Sequence, residues 1–490
     1  MKEDNYMPYL HGAYGEITES KVRKTTQADV VAAYIGTAPV NLIRGYATKD
    51  LVNMPIKLSN MGDAQSKLGY AADWEKFTLC EAFAEHFDNT VGNVGPIYVV
   101  NVLDPDTHRK TQATTKSLTF ANYRCEFESD TIILDTFAIE DKAEGTDYTL
   151  DYNFTKGTVV VKLLGSTATA TLNATFKEVD RSAVTQAEII GSQTAEGVYT
   201  GLYAMKLLYQ YHNAVLDILA APGWSHIPAV YKAMVSTVTK LNGHWDGFIL
   251  ADIPLSATTI AAAITWKNTN GYTAENSKVF WPQVKDGSGR AFHLSTVAAA
   301  TILRTDLENE GVPFESPSNK EIMATAQYFG ATSTNKGFDQ ETGNGLNEKG
   351  ITTAVFWAGR WVLWGPHTAA YTYNGSMDAR AIFDATLRTL MYITNSFQID
   401  HGTEIDQPMT PQDRDSILNA EKEKLDKLKG IGALIGEPEV LFLESENPVS
   451  DMVNGDFVWH FNVTNTPPFK SGTARVTYTD EGFQAFFEIE

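Results

Sequence analysis

Residues 75–103 read EKFTLCEAFAEHFDNTVGNVGPIYVVNVL, and this stretch decides the fold class. Phe77, Cys80, Phe83, Ala84 and Phe87 recur at helical spacing, which predicts an amphipathic helix over 75–88. Gly92 and Gly95-Pro96 break it. The run 97–103 that follows is apolar without alternation, the pattern of a strand buried on both faces. Such strands belong to an α/β core. Upstream, 30–35 is a β-rich run ended by Gly36. Downstream the pattern predicts a helix over 199–219, a turn at Pro222-Gly223 and a helix over 228–241. The run Gly247-Phe248-Ile249-Leu250-Ala251-Asp252 is a further buried strand, followed by a strand at 279–281 and a helix over 294–309.

Between these two stretches the character changes at Asp104-Pro105-Asp106. From 117 to 177 short alternating segments rich in Thr, Val and Tyr are separated by Gly145, Gly157 and Gly165, the signature of an all-β module. The polar, Gly-rich stretch 330–349 predicts a long loop. Beyond it come strands near 351–356 and 360–364, helices over 377–397 and 411–429, and strands over 457–463 and 474–478. The expected architecture is an α/β (α+β) multidomain protein. It divides into an N-terminal arm (1–20), a mixed-sheet α/β core in two parts (21–104 and 189–345), an inserted β-sandwich-like domain (105–188) and a C-terminal α+β domain with a strand arm (346–490).

The chain has 490 residues, 43% hydrophobic and 20% charged, a globular balance with material for several domains. Acidic residues outnumber basic ones 60 to 39, for a net charge of −21. That excess argues against direct nucleic-acid binding and against an anionic membrane surface. No run of 18 apolar residues occurs, so membrane insertion is not expected. Two cysteines make no disulfide framework, and Cys80 and Cys125 both fall at core-facing positions. The first residues, MKEDNYMPYLHGAYGE, have no apolar signal-peptide core, and a reducing cytoplasm is the expected setting.

Signatures of chemistry are thin. There is no P-loop, H-E-x-x-H, C-x-x-C or G-x-S-x-G. The ten His residues form no i, i+4 pair, so neither a metal nor a cofactor is expected. Asp400, Glu404 and Asp406 surround His401 in an acidic loop whose spacing does not match a calcium loop. Asp252 closes a strand, where an α/β enzyme can place an acid; a structural cap is the commoner role.

Several segments, taken in order, resemble the tail sheath proteins of contractile bacteriophages and phage-tail-like bacteriocins. HGAYGEITES (11–20) and TTQADVVAAYIGTAPV (25–40) resemble that family's opening arm and first strand. MPIKLSNMGDAQSKLGY (54–70), AFAEHFDN (82–89) and GPIYVVNVL (95–103) follow its order of strand, small helix, longer helix and strand. APGWSH (221–226), GFILADIP (247–254) and GVPFESPSNKEI (311–322) resemble its recurring middle elements. LNEKGI (346–351) with GRWVLWGPHTA (359–369) resembles its strand ending in Trp-Gly; the family commonly has Arg two residues after that Gly, whereas here Pro366 leads to His367.

The resemblance implies a structural, non-enzymatic subunit that polymerises with itself as stacked hexameric rings around an inner tube. It implies tail tube, baseplate and tail terminator proteins as partners. It also implies assembly in the bacterial host cytoplasm and residence in a virion tail or released particle. Strand-like termini would join neighbouring subunits, with Tyr6, Tyr9, His11, Tyr14, Phe457, Trp459, Phe461, Val476 and Tyr478 at the interface. The helix over 411–429 is capped by Thr410, opened by Pro411 and expected to end at Gly430. Ile417, Leu418, Leu425 and Leu428 share one face of it. On its own its charged side reads as a solvated surface; the resemblance makes Lys422, Lys424 and Lys427 tube-facing. An α/β enzyme using Asp252, or a cell-surface adhesion module, remains the alternative.

Overall fold

The computed structural model describes residues 30–165 and 169–487. Its centre is an eight-stranded mixed sheet. In chain order the strands are β1 (Ala32–Gly36), β2 (Pro55–Leu58), β3 (Ile97–Asn101), β4 (Ile218–Ala220), β5 (Phe248–Asp252), β6 (Ser277–Phe280), β7 (Ile351–Trp357) and β8 (Arg360–Trp364). In space they run β8-β7-β6-β5-β4-β1-β3-β2. Neighbours from β3 to β7 are parallel, and β2 and β8 close the two edges antiparallel. Ala33 of β1 sits opposite Tyr98 of β3 and Leu219 of β4. Every residue of β1, β3, β4, β5 and β6 is buried, because other elements cover both faces of the sheet.

The main helices are α1 (Leu79–Phe87), α2 (Pro228–Val238), α3 (Leu294–Glu308), α4 (Gln340–Asn347), α5 (Asp384–Asp400) and α6 (Pro411–Gly430). Three of them differ from expectation. Helix α1 begins at Leu79 because Thr78 is held by Thr37: each backbone N–H donates to the other residue's hydroxyl, at 3.2 and 3.1 Å. Residues 330–349 are not all loop. Asp339 accepts the Thr342 N–H at 2.9 Å and starts α4, whose Leu346 is buried. Gly343 lets that helix lie against β7, since a Cβ there would stand 3.2 Å from a Val355 methyl. The expected helix 377–397 is a single 3-10 turn, Ala379–Ala381, followed by α5.

The expected helix over 199–219 splits in three. A 3-10 turn (Gly201–Lys206) and a short helix (Leu207–His212) end at Asn213, which takes a left-handed conformation with φ of 50°. The apolar run beyond it contributes β4, paired to β1 and β5. A short apolar run does not distinguish a buried strand from a buried helix by period alone, and pairing decided here.

Between Thr114 and Phe176 the chain forms two three-stranded antiparallel sheets. One holds Thr114–Phe120, Ala170–Phe176 and Ala138–Ile139; the other holds Arg124–Glu128, Thr158–Leu163 and Tyr148–Asn153. Phe120, Phe137, Tyr148, Val159 and Phe176 fill the space between them, together with Leu42 from the loop after β1. Asn41 donates to the carbonyls of Asp130 and Ile132 at 2.9 and 2.8 Å, and Arg44 donates to that of Leu134 at 2.7 Å. These contacts clasp the β region to the core. Cys80 is buried and Cys125 half-buried, and both are free thiols.

Candidate assembly surface

After α6 the chain builds a smaller unit. Helix α6 itself follows its sequence signals: Thr410 accepts the Asp413 N–H while Asp413 reaches back to Thr410, and Pro411 occupies the first turn. It runs one residue further than expected, through Gly430, and the left-handed residue that turns the chain is Gly432, with φ of 84°. Ile417, Leu425 and Leu428 are buried and Leu418 is half-buried, so the predicted apolar face is the packed one. Leu425 and Leu428 join Val312, Ile393, Ala433 and Leu434 in a separate small core.

Two short strands complete it. β9 (Glu439–Leu441) pairs antiparallel with β10 (His460–Asn462), Val440 facing Phe461. The pairing continues through backbone bonds from Ile435 to Thr464 and from Thr466 to Ala433, at 2.9 and 3.1 Å. Of residues 457–463, expected as a strand donated to or shared with a neighbour, 460–462 are therefore paired within their own chain. Phe461 meets Phe397 edge-on at 5.8 Å, and Trp459 packs against Phe397, Phe442 and Phe457. Among the described residues this sheet has only two strands, so each has an outer edge without a partner.

The segment beyond Thr466 is different. Residues 474–478, expected as a strand, carry no secondary structure because no described strand lies beside them. Phe469, Val476 and Tyr478 are 90%, 93% and 80% exposed. A short 3-10 turn, Glu481–Phe486, ends the described tail with Phe483, Phe486 and Phe487 also exposed. Tyr6, Tyr9, His11 and Tyr14 lie outside the described residues.

The three lysines of α6 expected to face the tube, Lys422, Lys424 and Lys427, do not form one patch. Lys424 turns inward, paired with Asp400 at 2.5 Å and with Glu421. Lys427 is exposed and pairs with Glu423 at 3.1 Å, a surface contact worth little. Lys422, two residues before Lys424 and therefore about 200° away around the helix, is exposed. The group that receives Lys424 also holds His401. Its Nε2 stands 2.7 Å from Glu421 and its Nδ1 2.9 Å from Glu404. Both ring nitrogens face carboxylates, so both must donate and the imidazole is cationic. Burial works against that charge, but the hydrogen bonds that the ring donates to Glu421 and Glu404 outweigh it and raise the His401 pKa. For Glu421, burial is likewise outweighed, here by His401 and Lys424, and its pKa is lowered. The sequence held a signal for this network: Glu421 falls on the apolar stripe between Ile417 and Leu425.

The small unit is fixed to the core at the start of α5. Asp384 and Lys278 of β6 form a buried pair at 2.6 Å, and Arg388 pairs with Asp306 of α3 in equal burial. Lys278 also donates to the carbonyl of Gly365 at 2.7 Å. The family's Arg position holds His367, whose ring stacks on Tyr371 at 3.5 Å and on Phe383 at 5.1 Å. Burial lowers its pKa to about 4, so it is a neutral packing element here. Asp252 is occupied as a cap. Its carboxylate accepts the Ser295 N–H at 3.0 Å, the Ser295 hydroxyl at 2.5 Å and the Ser225 hydroxyl at 3.2 Å, at the start of α3. Among the described residues no helix is long and apolar enough to cross a membrane, and no group of side chains is arranged to hold a metal ion.

No family model matches the chain. It is 28% identical over 498 aligned residues to the tail sheath protein of Burkholderia phage BcepMu, covering 96% of each chain. Among solved structures it superposes with a TM-score of 0.56 and 12% identity on a chain of the sheath complex of PVC, an extracellular contractile injection system, in its contracted state. That match covers 97% of this chain and 99% of the other. A chain of the six-fold symmetrised baseplate of the anti-feeding prophage gives 0.55 at 15% identity, covering 96% and 100%. The structural matches define the fold, and the sequence match over nearly the whole length ties that fold to contractile tails. These relatives are structural proteins rather than enzymes. Over nearly its whole length the chain is therefore similar to tail sheath proteins of contractile phages, and it shares the fold of contractile injection system sheath chains.

Proposed function

We propose that this chain forms stacked hexameric rings around an inner tube and contracts to drive that tube through a cell envelope. The observation that carries the reading is the pairing of opposites in the last third: a two-stranded sheet with open edges, and a tail whose apolar residues are left exposed among the described residues. A subunit that lends its tail to the next copy's sheet edge makes a contact that propagates instead of closing. Val476 and Tyr478, with Tyr6, Tyr9, His11 and Tyr14 of the arm, are the donated residues; Phe461 lies in the sheet that receives them, and Phe457 and Trp459 pack beside it. Main-chain hydrogen bonds hold the lattice while each subunit turns as a rigid body, and contraction draws on conformational energy stored at assembly. No catalysis is required of Asp252, whose lone pairs cap α3.

In this reading the tube is met by α6 through Lys422 and Lys427, while Lys424 sets the pose of the helix. The β region 105–188 faces outward. Tube, baseplate and terminator proteins are the partners. Assembly takes place in the host cytoplasm before the tail or particle leaves. The test is a protein ended at Thr466. It should fold and melt as the full chain does but stay monomeric, while the full chain yields tubes by electron microscopy. Tubes from the shortened protein would overturn the tail-exchange reading.

A further inference from the structure

A cleft of about 700 Å³ opens between the β7–β8 hairpin, helix α4 and the root of the tail at Pro468–Gly472. The proposed exchange uses Val476 and Tyr478, farther along the same tail than the residues 468–472 that line the cleft. Its walls carry exposed aromatic faces: Trp357 is 43% and Tyr373 54% exposed, and Trp357 leans on Trp364 at 5.9 Å. Its polar groups include four carboxamides, Asn319, Gln340, Asn344 and Asn347, beside serine hydroxyls and one charge of each sign, Glu348 and Lys470. The Trp364 indole N–H donates to Asn344 Oδ1 at 2.8 Å, which fixes that amide with its Nδ2 still available. The side chains of Asn319 and Gln340, also lining the cleft, make no hydrogen bond within the described residues.

We infer that this cleft binds a neutral oligosaccharide. A sugar ring offers an apolar C–H face that packs on an indole or phenol, and hydroxyls that both donate and accept, as a carboxamide does. Lys470 is the one cation that lines the cleft and Glu348 offsets it, so a phosphate or a nucleic acid, in a chain of net charge −21, finds little grip there. An added peptide strand is disfavoured by the backbone. The outer edge of β8 is already taken by residues 319–322: Asn319 N donates to Leu363 O at 2.7 Å, Leu363 N to Lys320 O at 3.1 Å and Ile322 N to Trp361 O at 3.0 Å. What remains available is aromatic surface and side-chain amide.

The test uses the full chain, titrated by calorimetry and tryptophan fluorescence with maltohexaose in one arm and tetra-N-acetylchitotetraose in the other. The first probes an α-glucan and the second an envelope-type β-linked amino sugar. Saturable millimolar binding of at least one is expected, weakened about tenfold by Trp357→Ala. Gln340→Ala, on the exposed start of α4, should weaken it by a smaller factor. Both side chains lie at the surface, so an unchanged melting temperature confirms that the variants are folded. Failure of both sugars to bind, or binding unaffected by both substitutions, would overturn the assignment. So would a second outcome: no sugar binding together with loss of tubes in Trp357→Ala, which would give the cleft to another copy of the chain. The shortened protein ending at Thr466 tests assembly separately, so a failure here leaves that reading untouched.

Discussion

The β region between Thr114 and Phe176 and the segment after α6 are both small and both rich in extended backbone, yet they are finished to different degrees. In the first, six strands close on a shared aromatic core and borrow Leu42 from the main body to complete it. In the second, two strands stand alone and a long apolar tail lies in solvent. A strand edge without a partner is a hazard for a monomer, because it templates pairing with any other chain. In the assembly proposed above, such an open edge next to an exposed tail is completed by a neighbouring subunit. On that reading the closed region carries stability and the open one association, and substitutions should separate them.

The largest effect is expected where the closed region meets the core. Leu42→Ala removes a buried side chain from a packed aromatic cluster and should cost about 2–5 kcal/mol. Denaturant unfolding should show it as a lower midpoint with tubes still forming below that midpoint. A loss under 1 kcal/mol would mean the two bodies are stable apart. A moderate effect belongs to the His401 network, and it depends on pH. Because the folded-state pKa of His401 is raised above its unfolded value of about 6.5, its contribution is complete below that value. It disappears as pH rises through the folded-state pKa. Glu421, shifted down, keeps its contribution through neutral pH and loses it only as pH falls through its own folded-state pKa. Amide protection factors along α6, corrected for the intrinsic base catalysis of exchange, should therefore fall on the alkaline side, and His401→Phe should remove that dependence. The smallest effect on stability is expected from Lys422→Glu with Lys427→Glu, within about 0.5 kcal/mol because both groups are solvated. Their consequence should appear instead as weaker tube decoration at low salt. Normal decoration there would return the outer side of α6 to solvent.

How much of this was legible in the sequence follows from how local each cause is. β3 and β5 were readable because burial on both faces demands an uninterrupted apolar run. Helix α6 was readable because its cap, its first-turn proline and its apolar stripe lie within twenty residues. β4 was misread as helix because its identity depends on pairing with β1 and β5, which lie far away in sequence. Helix α4 hid in a Gly-rich stretch whose glycine serves close packing against β7 rather than a turn. At the assembly surface the exposed tail was marked by composition. The inward turn of Lys424 was not, since its partner Asp400 belongs to a different helix. Nor was the internal pairing of 460–462, because an outward strand and an inward one have the same sequence pattern.

The attachment of α5 to the core has a mechanical meaning. Asp384 and Arg388 stand one helical turn apart and grip two different elements, β6 and α3, through buried ion pairs. A helix pinned at one point can swivel; one pinned at two points against separate partners acts as a lever. Breaking either pin strands a charge in the interior, at a cost of about 3–5 kcal/mol. In the proposed contraction, a pull on the small sheet would reach the central sheet through these two pairs. The compliant part of the subunit is left to the uncovered backbone after Thr466, so stiffness and slack are assigned to different stretches of one chain.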